Sequence, residues 1–263
     1  MFHYRARTRN SAAFKRLVEA VRDISASPVL RLAPDRLAFQ GMDAAHVLMA
    51  AFELGEGFFD EVECAGEVAI AVRTAALSKV LHFCEEGDIL TFAVEASGDA
   101  CQLQFDSGPA VAYERRAAFR LPLLRLEGEM LAVPPRSYEA VVSLPAVAFF
   151  ALVRNLAQSS ETVSFVARAK PRGFALSYEG KGGSGEVAFA ECGGGAQQAV
   201  QLSVDVPVER QFSLALIASV ARAAALSERV TLSFGKETPL LLSFALGGDS
   251  VLQVYVAPKA TGD

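Results

Sequence analysis

The stretch Leu77-Ser78-Lys79-Val80-Leu81, followed after a polar turn by Leu90-Thr91-Phe92, returns 140 residues later as Ile217-Ala218-Ser219-Val220-Ala221 and then Val230-Thr231-Leu232. Leu77, Val80 and Leu81, like Ile217, Val220 and Ala221, stand at i, i+3 and i+4, the spacing that lines one face of a helix. The runs behind them are β-rich, and each leads into a second strand pattern, Ala100-Cys101-Gln102-Leu103-Gln104-Phe105 and Pro239-Leu240-Leu241-Leu242-Ser243-Phe244. A block duplicated at so long a period reads as two similar domains, not as a solenoid of short units.

Upstream of each block lies another matching helix. Segment 11–24 carries Phe14, Leu17, Val18 and Val21 at i, i+3, i+4 and i+7, with Ser11 placed to cap it; segment 146–158 carries Phe149, Leu152, Val153 and Leu156. Short strand patterns follow both, with turns at Pro34-Asp35 and Pro171-Arg172. The order helix, strands, helix, strands therefore occurs twice, an α+β arrangement with antiparallel hairpins. Segment 119–137 between the halves has no clean period, and Pro122, Pro134 and Pro135 obstruct a helix or a central strand. We read residues 1–118 as one domain, 119–137 as a linker rich in large apolar side chains, and 138–263 as the second domain.

The 263 residues suffice for two cores, and 52% hydrophobic with 21% charged residues is the balance of a folded chain. No window approaches eighteen consecutive apolar residues, so no membrane is expected among the partners. Met1-Phe2-His3-Tyr4-Arg5 lacks an apolar signal core, and an intracellular location is expected. The cysteines at 64, 84, 101 and 192 and the histidines at 3, 46 and 82 show no ligand spacing, so reduced thiols and no metal are expected.

The net charge of −5 argues on its face against nucleic acid. Mapping it changes the reading. The predicted helices 12–24, 74–84, 146–158 and 213–226 hold Lys15, Arg16, Arg22, Lys79, Arg154 and Arg222 against Glu19 and Asp23, a net +4 that leaves −9 for the rest. Basic helices on an acidic body are a phosphate-attracting surface if they share a face. The plain alternative is that amphipathic helices carry charge on their polar faces anyway.

Gly180-x-Gly182-x-x-Gly185 formally matches a dinucleotide fingerprint, but an alternating strand pattern, Glu186-Val187-Ala188-Phe189-Ala190, follows where a helix is required. It reads as a hairpin turn, and Gly193-Gly194-Gly195 as a loop. Glu85-Glu86 before Gly87 reads as a solvated turn. No nucleophile elbow, Walker loop or convergent set of titratable groups emerges, so catalytic residues and cofactors are both expected to be none.

Gln40-Gly41-Met42-Asp43-Ala44-Ala45-His46-Val47 resembles the QSMD-x-x-HV signature of the eukaryotic sliding clamps, the proliferating cell nuclear antigen (PCNA) family. Three other stretches agree in the same order. Met1-Phe2 precedes a basic amphipathic helix, Leu131-Ala132-Val133-Pro134 with Tyr138 is similar to the end of the family's connector loop, and Ala257-Pro258-Lys259 is similar to its APK tail.

The resemblance implies two topologically similar DNA-clamp domains, antiparallel sheets outside and helices inside, assembling head to tail as a homotrimeric ring. It implies a DNA polymerase processivity factor that encircles double-stranded DNA without reading its sequence. Partners implied are DNA polymerase, ligase, flap nuclease and the clamp loader, tethered through PIP-box motifs, in the nucleus or in a viral replication compartment. The implied DNA-binding residues are Lys15, Arg16, Arg22, Lys79, Arg154 and Arg222. The implied partner groove takes Met42, His46 and Val47, then Leu131, Val133, Pro134 and Tyr138, then Pro239, Ala257, Pro258 and Ala260.

Ala151, Ala215 and His82 occupy positions where the family usually has basic residues, so a less positive channel is expected. The connector carries Arg115, Arg116, Arg120 and Arg125 where acids are common. Lys170 lies next to the position of a modified lysine in the family. A checkpoint-clamp subunit of a heterotrimer, or an interaction scaffold that does not encircle DNA, are the alternatives.

Overall fold

The computed structural model describes residues 2–108, 113–126, 130–131, 133, 136–180, 183–189 and 200–259. They fall into two compact units, 1–132 with 246–252 and 133–245 with 253–263.

The first unit runs β1 (Phe2–Thr8), α1 (Ser11–Val21), β2 (Val29–Leu32), β3 (Arg36–Met42), β4 (Leu48–Gly55), β5 (Glu61–Cys64), β6 (Val68–Ala71), α2 (Thr74–Leu81), β7 (Ile89–Glu95), β8 (Ala100–Asp106) and β9 (Arg116–Pro122). Strands pair in the order β5-β1-β7-β8-β9, and separately β6-β2-β3-β4, all antiparallel. The second unit runs β10 (Ala140–Pro145), α3 (Ala146–Leu156), β11 (Thr162–Ala169), β12 (Arg172–Gly180), β13 (Gly183–Phe189), β14 (Gln201–Val204), β15 (Val208–Ser213), α4 (Leu214–Ser219), β16 (Arg229–Phe234), β17 (Leu240–Gly247) and β18 (Ser250–Val256), the last hairpin divided between the units at its tip. Its strands pair β14-β10-β16-β17-β18 and β15-β11-β12-β13. The two orders are the same topology, and the 140-residue offset holds: α2 begins at Thr74 and α4 at Leu214, β7 at Ile89 and β16 at Arg229.

The helices form because their apolar stripes are buried. An 11-residue helix is marginal alone, and α1 is held by Phe14, Leu17, Val18 and Val21, each at most 1% exposed. Phe165 on β11 anchors the second unit, its ring meeting Phe149, Phe174, Phe212 and Phe234 at centroid distances of 6.4, 5.7, 5.2 and 5.6 Å. Such a core aromatic is worth about 3–5 kcal/mol against alanine.

Three local expectations change. Ser11 is not a cap: its hydroxyl donates to the Asp88 carbonyl at 2.5 Å, and no side chain caps α1. The helix expected over 213–226 breaks at Val220, whose φ of −97° and ψ of 10° leave the α region, and continues as a 3-10 segment, Ala221–Ala225. Residues 119–122, expected in the linker, belong to β9, where Pro122 is tolerated at the end of an edge strand. The Gly180 motif is a hairpin in which Gly180 opposes Gly183 between β12 and β13, while Gly182 and 193–195 lie outside the described residues.

Candidate functional site

The loop from β3 to β4 is built by one carboxylate. Asp43 Oδ1 accepts the amides of Val47 and Leu48, both at 2.8 Å, while the Asp43 amide donates to the Leu48 carbonyl at 2.9 Å and its carbonyl accepts from His46 N at 3.1 Å. Closing the turn puts His46 at φ 57°, a left-handed conformation that histidine enters far more readily than a β-branched residue. Gly41 is required for a different reason, since a Cβ there would lie 2.5 Å from Ser25 Cβ. His46 is exposed, with Met42 and Val47 half-buried beside it.

Gln40 gives that loop a neighbour. Its Nε2 donates to the Leu131 carbonyl at 2.8 Å and its Oε1 accepts the Leu131 amide at 2.5 Å, so the amide side chain pairs with connector backbone as a strand would. Leu124 ties the connector a second time, its amide donating to Ala71 O at 2.8 Å. Leu131, with its backbone so held, keeps its side chain 55% exposed. Sequence reasoning named Gln40 within a motif but missed its role, which depends on a partner 91 residues away.

Within the second unit, Tyr138 is half-buried and burial raises its hydroxyl pKa; Tyr255 is raised for the same reason, with Tyr138 a second cause. Pro239, Ala257 and Pro258 are half-buried, and Lys259 N donates to Gln211 O at 2.8 Å, fastening the tail to β15. Val133 is 38% exposed. Pro134 and Ala260 lie outside the described residues.

The helices differ in how free their cations are. α1 and α2 pack antiparallel: Lys15 Nζ, near the start of α1, donates to Cys84 O just past the end of α2, at 3.0 Å, and the Thr74 amide that opens α2 donates to Ala26 O at 3.0 Å. Lys15 is thus half-buried and occupied, and Arg22 is held by Asp23 at 2.9 Å. Arg16 and Lys79 are exposed with no ion pair among the described residues, and His82 lies 3.9 Å from Glu19. On the second unit's helices, Arg154 and Arg222 are exposed. Between α3 and the Ala221–Ala225 turn runs a crevice of about 300 Å³ lined by Val147, Phe150, Ala151, Ala218, Ala221 and Ala224, with Arg154 at its side.

The basic connector is not what its composition implies. Arg115 pairs with buried Asp88, Arg116 with Asp106 at 2.7 Å and Arg120 with Glu95 at 2.7 Å. These arginines answer acids on their own sheet and its preceding turn. The exposed Arg125 alone of the four lacks an ion pair among the described residues. Lys170 is exposed in the turn between β11 and β12.

Residues 1–128 match the family described as "Proliferating cell nuclear antigen, N-terminal domain", and residues 132–259 its C-terminal domain. A relative named "Proliferating cell nuclear antigen" from Chaetomium thermophilum is 29% identical over 260 residues, covering 98% of each chain. Twice-repeated topology, the Asp43–His46 loop and both domain matches agree: the chain belongs to the proliferating cell nuclear antigen family of DNA sliding clamps.

Proposed function

We propose that three copies of this chain close head to tail into a ring that encircles duplex DNA and tethers replication and repair proteins through PIP-box peptides. In a eukaryotic cell its place of work would be the nucleus. The observation that carries the reading is a pair of unmatched sheet edges. β9 ends one sheet of the first unit and β13 ends one sheet of the second, and among the described residues no further strand pairs with the outer side of either. Phe83, 55% exposed, packs its ring at a tilt against Phe119 of β9 with centroids 4.7 Å apart, and Val187 of β13 is also exposed. An edge-to-edge contact between β9 of one copy and β13 of the next is heterologous, and such contacts make rings when the rotation closes.

The Gln40–Leu131 junction supports the tethering half of the reading, since it presents exposed Leu131 on a backbone already ordered, so less entropy is lost when an anchor docks. Holding a polymerase on a closed ring raises its effective concentration at the template without any chemistry by the ring.

Light scattering on the purified protein tests the assembly. A mass near 84 kDa, three times 28.0 kDa, is expected. A stable monomer overturns the homotrimer, and a trimer forming only with other chains favours the checkpoint-type heterotrimer.

A further inference from the structure

The sequence places six cations on the helices, and on α1 two of them are engaged: Lys15 on the Cys84 carbonyl and Arg22 on Asp23. The exposed charge of the first unit's helix pair is carried by Arg16 and Lys79, joined by a residue outside that set. Arg73 is exposed at the N-cap of α2, with φ −65° and ψ 116°, and has no ion pair among the described residues. Its backbone position is fixed by Thr74, fully buried, whose amide donates to Ala26 O at 3.0 Å and whose hydroxyl donates to Ser25 O at 2.6 Å.

Ser25 and Ala26 follow Arg22 and Asp23 with only Ile24 between, so Arg73 emerges beside the end of α1 where the Arg22–Asp23 pair contributes no net charge. Arg73 and Lys79 are separated by six residues, about 9 Å along a helix axis, far enough to meet different phosphates. Arg73 thus returns a positive charge to the end of the helix pair that Asp23 neutralises. The guanidinium fork suits a phosphate oxygen pair better than a point charge does.

We propose that Arg73 is a further contact to the phosphate backbone of duplex DNA, beyond the six helix cations that the sequence pattern marks. The proposal rests on the reading of α1 and α2 as the DNA face. Because the Arg73 side chain is exposed and Thr74 carries the local hydrogen bonds, Arg73→Gln leaves the fold in place.

The test is fluorescence anisotropy of a labelled short duplex, titrated with wild type, Arg73→Gln, Arg73→Lys and Lys79→Gln over a salt series, with ring mass followed by light scattering. Arg73→Gln is expected to weaken binding at low salt and to make the slope of log affinity against log salt shallower by about 0.9 for each phosphate that is no longer neutralised. Arg73→Lys restores most of the affinity. If Lys79→Gln weakens binding while Arg73→Gln matches wild type in affinity and slope, Arg73 is a solvated side chain and the proposal fails with the DNA face intact. If neither variant changes binding, both fail together.

Discussion

Gln40 and Leu131 are joined by both ends of one side-chain amide, donating to the Leu131 carbonyl at 2.8 Å and accepting its amide at 2.5 Å. The pairing fixes the backbone of Leu131 as a ledge, and its exposed aliphatic side chain is the anchor contact of the proposed groove. Gln40→Ala should therefore act by loosening the ledge, with the apolar anchor itself left in place. PIP-box peptide affinity should fall and the entropic penalty of binding should grow, with circular dichroism unchanged; titration calorimetry reads both. Peptide affinity equal to wild type would remove Gln40 from the account.

Leu131→Glu works on the same ledge by chemistry. A charge set against aliphatic and aromatic anchors is desolvated without a partner, so peptide affinity should drop by at least ~1–3 kcal/mol. Ring mass should not change, because Leu131 is on neither β9 nor β13. Binding within twofold of wild type would place the anchors elsewhere.

His46 separates backbone from side chain. At φ 57° a β-branched residue is strained, so His46→Val should destabilise the loop by about 1–2 kcal/mol, while His46→Gly relieves the constraint and costs little by that route. Urea denaturation gives the comparison. Equal stabilities for the two variants would mean that the left-handed turn is not what selects the residue.

The 140-residue period and the apolar stripe of α1 are legible from spacing, because helix faces repeat at a fixed interval, and the 40–47 loop from its resemblance to the family signature. What stays hidden in the sequence is what pairing creates. Arg116 and Arg120 read as a basic connector until β9 aligns Arg116 with Asp106 and sets Arg120 beside Glu95. Lys15 reads as a free cation until α2 brings the Cys84 carbonyl to it, and Val220 gives no warning of the break in α4.

The Arg120–Glu95 pair gives a pH signature. Hydrogen bonds from Arg120 and Gln102 lower the Glu95 carboxyl from 4.5 to about 2. Its contribution is therefore complete above about pH 4.5 and fades as pH falls toward 2. Stability of wild type relative to Arg120→Gln, measured by denaturant unfolding across pH, should be constant near neutrality and converge at the acid end. A difference that persists unchanged to pH 2 would show that the ion pair is not its source.

Neutralising the freest helix cations tests the DNA face. Arg16→Ala with Lys79→Ala should lower clamp-dependent polymerase processivity most at low salt, and the deficit should narrow as salt rises, with trimer mass unchanged. Full processivity at low and moderate salt would mean that DNA does not contact these helices.

The central claim is topological, and retention on DNA tests it most directly. Protein loaded by a clamp loader onto nicked circular DNA, then separated from free protein by gel filtration, should stay with the circle and be lost once a single cut makes the DNA linear. Equal retention on circular and linear DNA, or none on either, would contradict an encircling ring.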